Sequence, residues 1–167
     1  FAYEAWRKMR SDPGFEPRGL YAIQVALPLD SYATRAARRA FIGQLAERIR
    51  SAPGVAAVTV AAGAPPSRNW MIGALQVDGQ PAPATGATAF VDYNGVDANY
   101  FRVMGIPLLE GTTLTDTSAS SRQGLVNAGF VRKHWPGQPA VGRRFRVVYD
   151  GKEEWNTIVG VVGDAFT

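Results

Sequence analysis

From Leu20 to Leu27 the chain alternates, with Tyr21, Ile23, Val25 and Leu27 on one side and Ala22, Gln24 and Ala26 on the other. A period of two predicts a strand whose second face is small enough to lie beneath a helix. Pro28 ends it, and Asp30, Ser31 or Thr34 can cap a helix running to about Ser51. In that helix Ala37, Phe41, Leu45 and Ile49 fall on one stripe, with the arginines largely opposite. Pro53 and Gly54 stop it, and Val55 to Ala62 reads as a second strand. The order strand, helix, strand predicts a β-α-β unit with a parallel pair. Upstream, Phe1, Ala5, Trp6 and Met9 lie near helical spacing until Ser11-Asp12-Pro13-Gly14 breaks the pattern, and Phe15 to Gly19 reads as a loop.

Beyond Gly63 the pattern changes. Gly63 to Gly73 contains Gly, Pro and Ser and predicts a linker or hinge between two lobes. Within it, Trp70 and Met71 form an exposed apolar pair expected to contact a partner. Short strands are predicted at Ala74 to Val77 and Thr88 to Tyr93, separated by the Pro- and Ala-rich loop Asp78 to Gly86. Asp97 can cap a helical turn carrying Tyr100, Phe101 and Met104, which ends at Gly105 and passes into an apolar run held extended by Pro107 and closed by Gly111. Thr112 to Gln123 reads as an exposed loop, Leu125 and Val126 as a short strand, and Asn127 as the cap of a helix from Ala128 to Trp135 that Pro136-Gly137 stops. Phe145 to Tyr149 and Trp155 to Val162 then flank the turn signal Asp150-Gly151.

A chain of 167 residues with 46% hydrophobic content can bury a core, so one or two compact lobes are expected. Cysteine is absent, which removes disulfides and thiolate metal sites. The net charge of +4 comes almost wholly from arginine, dense at Arg35, Arg38, Arg39, Arg48 and Arg50 and again at Arg143, Arg144 and Arg146. These arginines read as solvated faces, and no nucleic-acid partner is expected. No apolar run approaches the roughly 20 residues that span a bilayer.

Catalytic patterns are weak. His134 is the single histidine, and no Gly-x-Ser-x-Gly elbow supplies a nucleophile for it; at a helix C-terminus it complements the dipole instead. One histidine with scattered carboxylates offers no metal-ligand spacing. Gly160-Val161-Val162-Gly163-Asp164 lacks the glycine and lysine positions that cradle phosphates, and reads as a buried strand with close backbone approach at Gly160. Trp6, Trp70, Trp135 and Trp155 do not cluster into a stacking platform. The expectation is no catalytic, cofactor-binding or metal-binding residues and no cofactor.

Five segments carry a family resemblance. Asn99 to Gly111 (NYFRVMGIPLLEG) closely resembles the signature of the extracytoplasmic core domain of MacB-type permeases, the FtsX-like membrane subunits of certain ABC transporters. Ser11 to Phe15 looks like the "DPGF" that follows a membrane helix in the acidobacterial-type duplicated permeases of this group. Tyr32 with Arg38-Arg39-Ala40-Phe41 and Ala52-Pro53-Gly54-Val55, then Asn127 to Arg144 around Trp135-Pro136-Gly137, then Thr157 to Asp164, are similar to further family motifs in the same order. Gly111-Thr112-Thr113 and Asn127-Ala128-Gly129 depart from the family pattern.

The resemblance implies an α+β fold, with a porter-like β-α-β subdomain and an inserted smaller β-rich lobe, as a truncated fragment of the full core domain. On this reading 1–19 is a juxtamembrane helix remnant and loop, 20–62 the porter-like lobe, 63–73 the hinge, 74–149 the inserted lobe with short helices, and 150–167 a strand returning toward the first lobe. It further implies a non-catalytic domain on the extracytoplasmic side of the cell membrane, in a membrane-anchored parent. That domain would pass on conformational change driven by a separate ABC ATPase subunit, toward export or engagement of another permease half or a periplasmic partner. The alternative is a stand-alone binding module for an amphipathic ligand or protein, with Trp70, Met71 and Phe101 on an open groove.

Overall fold

The computed structural model describes residues 13–28, 30–63, 71–81, 90–115, 122–148 and 154–165. The helix expected over residues 1–10, Trp70, and most of the expected hinge lie outside these.

Helix α1, Arg35–Arg50, begins where Thr34 stays extended and its Oγ1 accepts the amide of Ala37 at 3.1 Å. Arg48 and Arg50 in its last turn suit the negative end of the helix dipole, and Gly54 at φ +83° leads the chain away. Phe41, Leu45 and Ile49 are half-buried as the stripe predicts, but Ala37 is exposed, and Ala46 is the buried member of the helix.

The segments flanking α1 differ from expectation. Leu20 to Leu27 forms no strand; Tyr21 and Ile23 are 90% and 71% exposed. Val55 to Val60 likewise forms no strand, and Ala61 makes an isolated antiparallel bridge with Val96. Alternation reports which side of a segment is apolar, whereas a strand also needs a neighbouring backbone to complete its hydrogen bonds. No parallel pairing of these two segments is present among the described residues.

The remaining strands form one six-stranded sheet: β1 Met71–Val77, β2 Phe90–Tyr93, β3 Leu108–Gly111, β4 Gln123–Asn127, β5 Arg144–Val148 and β6 Asn156–Val162. Two short helices lie among them, α2 Tyr100–Val103 and α3 Ala128–His134. β2, β1, β5 and β6 are successively antiparallel, with Met71 opposite Tyr93 and Val77 opposite Phe145. β4 lies parallel to β6 from Gln123–Thr157 to Asn127–Val162, the crossover between them carrying α3. Asn127 starts α3 as expected, its Oδ1 accepting the amide of Phe130 at 3.0 Å.

β6 is the centre of the sheet, and Val162 at its end packs with Leu20 and Ala61. β4 occupies one edge along its length, so β5, paired at Asn156 and Thr157, and β3, paired from Gly160 to Val162, share the other in tandem. Gly124 faces Ile158 and Leu125 faces Gly160, which leaves Val159 as an extra residue, a β-bulge. The bulge reverses the alternation, so Ile158 and Val161 point to one face and Val162 to the other.

Each face covers its own core. On one side Leu75, Val77, Val126, Ile158 and Val161 pack with Trp135 and Ala140, against Phe130 and Val131 of α3. On the other, Tyr100, Met104 and Ile106 pack on Val162 with Phe15, Leu20, Ala61 and Val96 around them. The tandem arrangement requires glycine at the contact point: a Cβ on Gly160 would lie 2.4 Å from the Thr112 carbonyl oxygen and 2.8 Å from Leu125 Cδ2.

Replacing Gly160 by alanine therefore forces β3 or β4 away from β6, and urea unfolding should show a loss of about 2–3 kcal/mol. Gly43, inside α1 with nothing within 4 Å of its would-be Cβ, is the control. Gly43→Ala should stabilise by roughly 0.5–1 kcal/mol.

Candidate functional site

Among the described residues, His134, Asp164, Asn94 and Asp97 hold segments of the chain together. His134 ends α3, with Nδ1 3.3 Å from Gln80 Oε1, its carbonyl accepting Gln80 Nε2 at 2.8 Å, and its ring 4.4 Å from that of Phe130. Burial, helped by the Lys133 charge, pushes its pKa down, so the ring is neutral near pH 7. It ties the loop after β1 to α3. Trp135 is buried beneath the Arg143 guanidinium, and Trp155 carries Arg144 and Arg146 at 5.7 and 5.0 Å from its ring centre. Arg144 also pairs with Asp78, and Arg146 donates to Gln76 Oε1 at 2.7 Å. Among the described residues no group of three or more His, Asp or Glu side chains could hold a metal ion.

Asp164, directly after β6, accepts from the Gly129 amide at 2.6 Å and from Arg132 at 2.7 Å. The Arg132 hydrogen bond holds its carboxyl below the usual aspartate value, against a smaller opposing effect of burial. Its backbone oxygen would sit 2.1 Å from a Cβ on Gly14, so residues 13–16 lie directly over the end of β6. An open cleft there is lined by Gly14, Phe15, Glu16, Pro107, Gly163 and Asp164. Asp164 is its acidic group nearest α3, and that carboxylate is already satisfied.

The second cluster of ties surrounds α2. Asp97 does not cap α2; the residue at the cap is Asn99, which makes no side-chain capping bond. Asp97 instead accepts the Thr59 hydroxyl and the Asn99 amide on Oδ1 and the Val60 amide on Oδ2. Asn94 reads both backbone groups of Gly63, accepting its amide at 3.0 Å and donating to its carbonyl at 2.8 Å. Burial raises the pKa of Tyr100 beneath them, partly offset by a hydrogen bond with Asn94. No local pattern announces these ties, since the Thr59, Val60 and Gly63 partners of Asp97 and Asn94 lie 31 to 38 residues away.

Of the residues expected to contact a partner, Trp70 lies outside the described residues and Met71 opens β1 opposite Tyr93. Phe101 is half-buried in the cluster on Val162, edge-on to Tyr100 at 5.4 Å. Among the described residues the exposed large apolar side chains are Tyr21, Ile23 and Val25, and Leu108, Leu109 and Val141. No helix among the described residues is long and apolar enough to cross a membrane.

The described residues form a mixed α/β domain built around a largely antiparallel sheet, whose polar groups tie distant segments together. Nothing among the described residues points to catalysis. The family model of the MacB-like periplasmic core domain matches residues 8–167, and the chain belongs to that family, the extracytoplasmic domains of ABC-transporter permeases. Its fold is similar to the periplasmic region of MacB from Actinobacillus actinomycetemcomitans, with a TM-score of 0.52 at 17% identity over 72% of this chain and 50% of that one. It is similar also to the extracellular domain of the noncanonic ABC-type transporter YknZ from Gram-positive bacteria, with a TM-score of 0.52 at 16% identity over 74% of this chain and 57% of that one. The chain thus spans about half the length of those solved domains. No curated protein sequence matches it.

Because the folded pKa of Asp164 is depressed, its contribution is present above the ordinary value of 3.8 and is lost as the pH falls through the lower folded value. Asp164→Asn should cost about 1 kcal/mol at neutral pH, a figure reduced by the exposure of Arg132 to solvent. Urea titrations of the two proteins should converge as the pH is taken below 3.8.

Proposed function

We propose that this chain is the extracytoplasmic core of an ABC-transporter permease that carries conformational change, driven by ATP hydrolysis in a separate cytoplasmic subunit, toward export or engagement of a partner. The observation that carries this reading is the family match over residues 8–167. The tie residues support it, because a domain that passes on movement must resist deformation within its parts. Stiffness of that kind comes from networks in which each polar group has a partner.

In the parent permease, the apolar residues left open at Tyr21, Ile23 and Val25 are covered by a further part of the permease or by its partner. Trp70 and Met71 remain the proposed partner contact. On that proposal, Trp70→Ala with Met71→Ala weakens partner engagement while leaving the urea midpoint of the domain within about 0.5 kcal/mol of the parent value.

The test uses the parent permease with its ATPase in lipid vesicles. The chain contains no cysteine, so labels at Gln44→Cys and Lys133→Cys report on its two ends without background from this domain. Both positions are exposed, one on α1 and one on α3. For the transmission role, ATP should change the separation of this domain from a label in the cytoplasmic subunit, and a hydrolysis-deficient ATPase should abolish the change. A separation indifferent to ATP would overturn the proposal.

A further inference from the structure

Among the described residues α1 contributes no residue to either core cluster, and the helical arm, residues 21–58, joins the rest of the described chain at its two ends. Both ends meet the same short stretch, 94–105. At the entry, the Glu16 amide donates to the Met104 carbonyl at 2.9 Å, and a Cβ on Gly105, at φ +68°, would come 3.1 Å from Glu16 Cβ. At the exit, residues 59–63 run antiparallel to 94–97: the Asp97 amide donates to Val60 at 3.0 Å and the Ala62 amide to Gly95 at 2.7 Å. Between the two joints lies one apolar cluster, in which Phe15 and Leu20 from the entry and Ala61 from the exit pack with Tyr100, Met104 and Val96.

We propose that residues 94–105 are a two-point mount that fixes the orientation of the helical arm relative to the six-stranded sheet, with the Asp97 carboxylate and the Asn94 amide as its locking groups. The chemistry of the two side chains is matched to what they hold. Asp97 faces three donors, which suits a group with acceptors alone. Besides its hydrogen bond with Tyr100, Asn94 faces the donor and the acceptor of the Gly63 backbone, which suits an amide and not a carboxylate. The Gly63 end of the expected hinge is therefore held by Asn94.

The mount rests on the proposed transmission role for its use, but it is tested in the 167-residue chain alone. Asp97→Asn and Asn94→Asp keep size and shape while presenting the wrong groups. Nitroxide labels at Gln44→Cys and Lys133→Cys should give one narrow distance distribution in the parent chain. In the double variant it should broaden by about twofold. Hydrogen exchange should accelerate about tenfold or more at the Ala62 and Asp97 amides while that of Ile158, inside β6, stays slow. An unchanged width, or unchanged exchange at Ala62 and Asp97, overturns the mount. Should Ile158 lose protection as well, Thr59→Val, which removes a single donor to Asp97, decides by the same two readouts. A narrow distribution in the isolated chain together with a parent indifferent to ATP removes the transmission role and keeps the mount; a broad distribution already in the unaltered chain removes the mount and keeps the family role.

Discussion

A strand has two edges, and β6 serves three neighbours. The organisation of the sheet follows from how that conflict is resolved. β4 takes one edge, while β5 and β3 divide the other, meeting where the chain carries the extra residue Val159 and then Gly160. The bulge turns the side chains over, so a single strand places Ile158 and Val161 in one core and Val162 in the other. Without a glycine at 160 the carbonyls of Glu110 and Thr112 could not approach, and β3 would have no edge to join. The two cores are thus made by one short strand, and each depends on the register set there.

The consequence for function runs through the second core. It contains few residues, yet it receives the loop before the helical arm, the segment after it, and the end of β6. The polar groups that border it are used on backbone partners: Asp97 on the Thr59 and Val60 segment, Asn94 on Gly63, and Asp164 on the first turn of α3. A site that turns over a substrate leaves some donors or acceptors free for it. Here those groups hold the chain to itself.

Elements with both a period and a terminator were legible in the sequence. α1 ends at Arg50 ahead of Pro53-Gly54; α3 starts on Asn127 and stops before Pro136-Gly137; β6 begins one residue after its expected start and ends at Val162. In each case the deciding forces are local, namely a side chain capping its own helix or a residue that cannot continue the pattern. Asp97 shows the limit of that reasoning. An Asp three residues before a helical turn suggests a cap, but carboxylate oxygens accept from whichever donors the tertiary fold brings closest, and two of these came from residues 59 and 60.

By itself, the chain determined where α1 and α3 begin and end, because caps and terminators act on neighbours within a few positions. The fold decided which extended segments became strands. Leu20 to Leu27 and Thr157 to Val162 both carry patterns suited to a sheet, and the second is flanked on both edges while the first pairs with no strand among the described residues. A strand is completed by hydrogen bonds to another backbone, and residues distant in sequence supply that backbone only after the chain has folded.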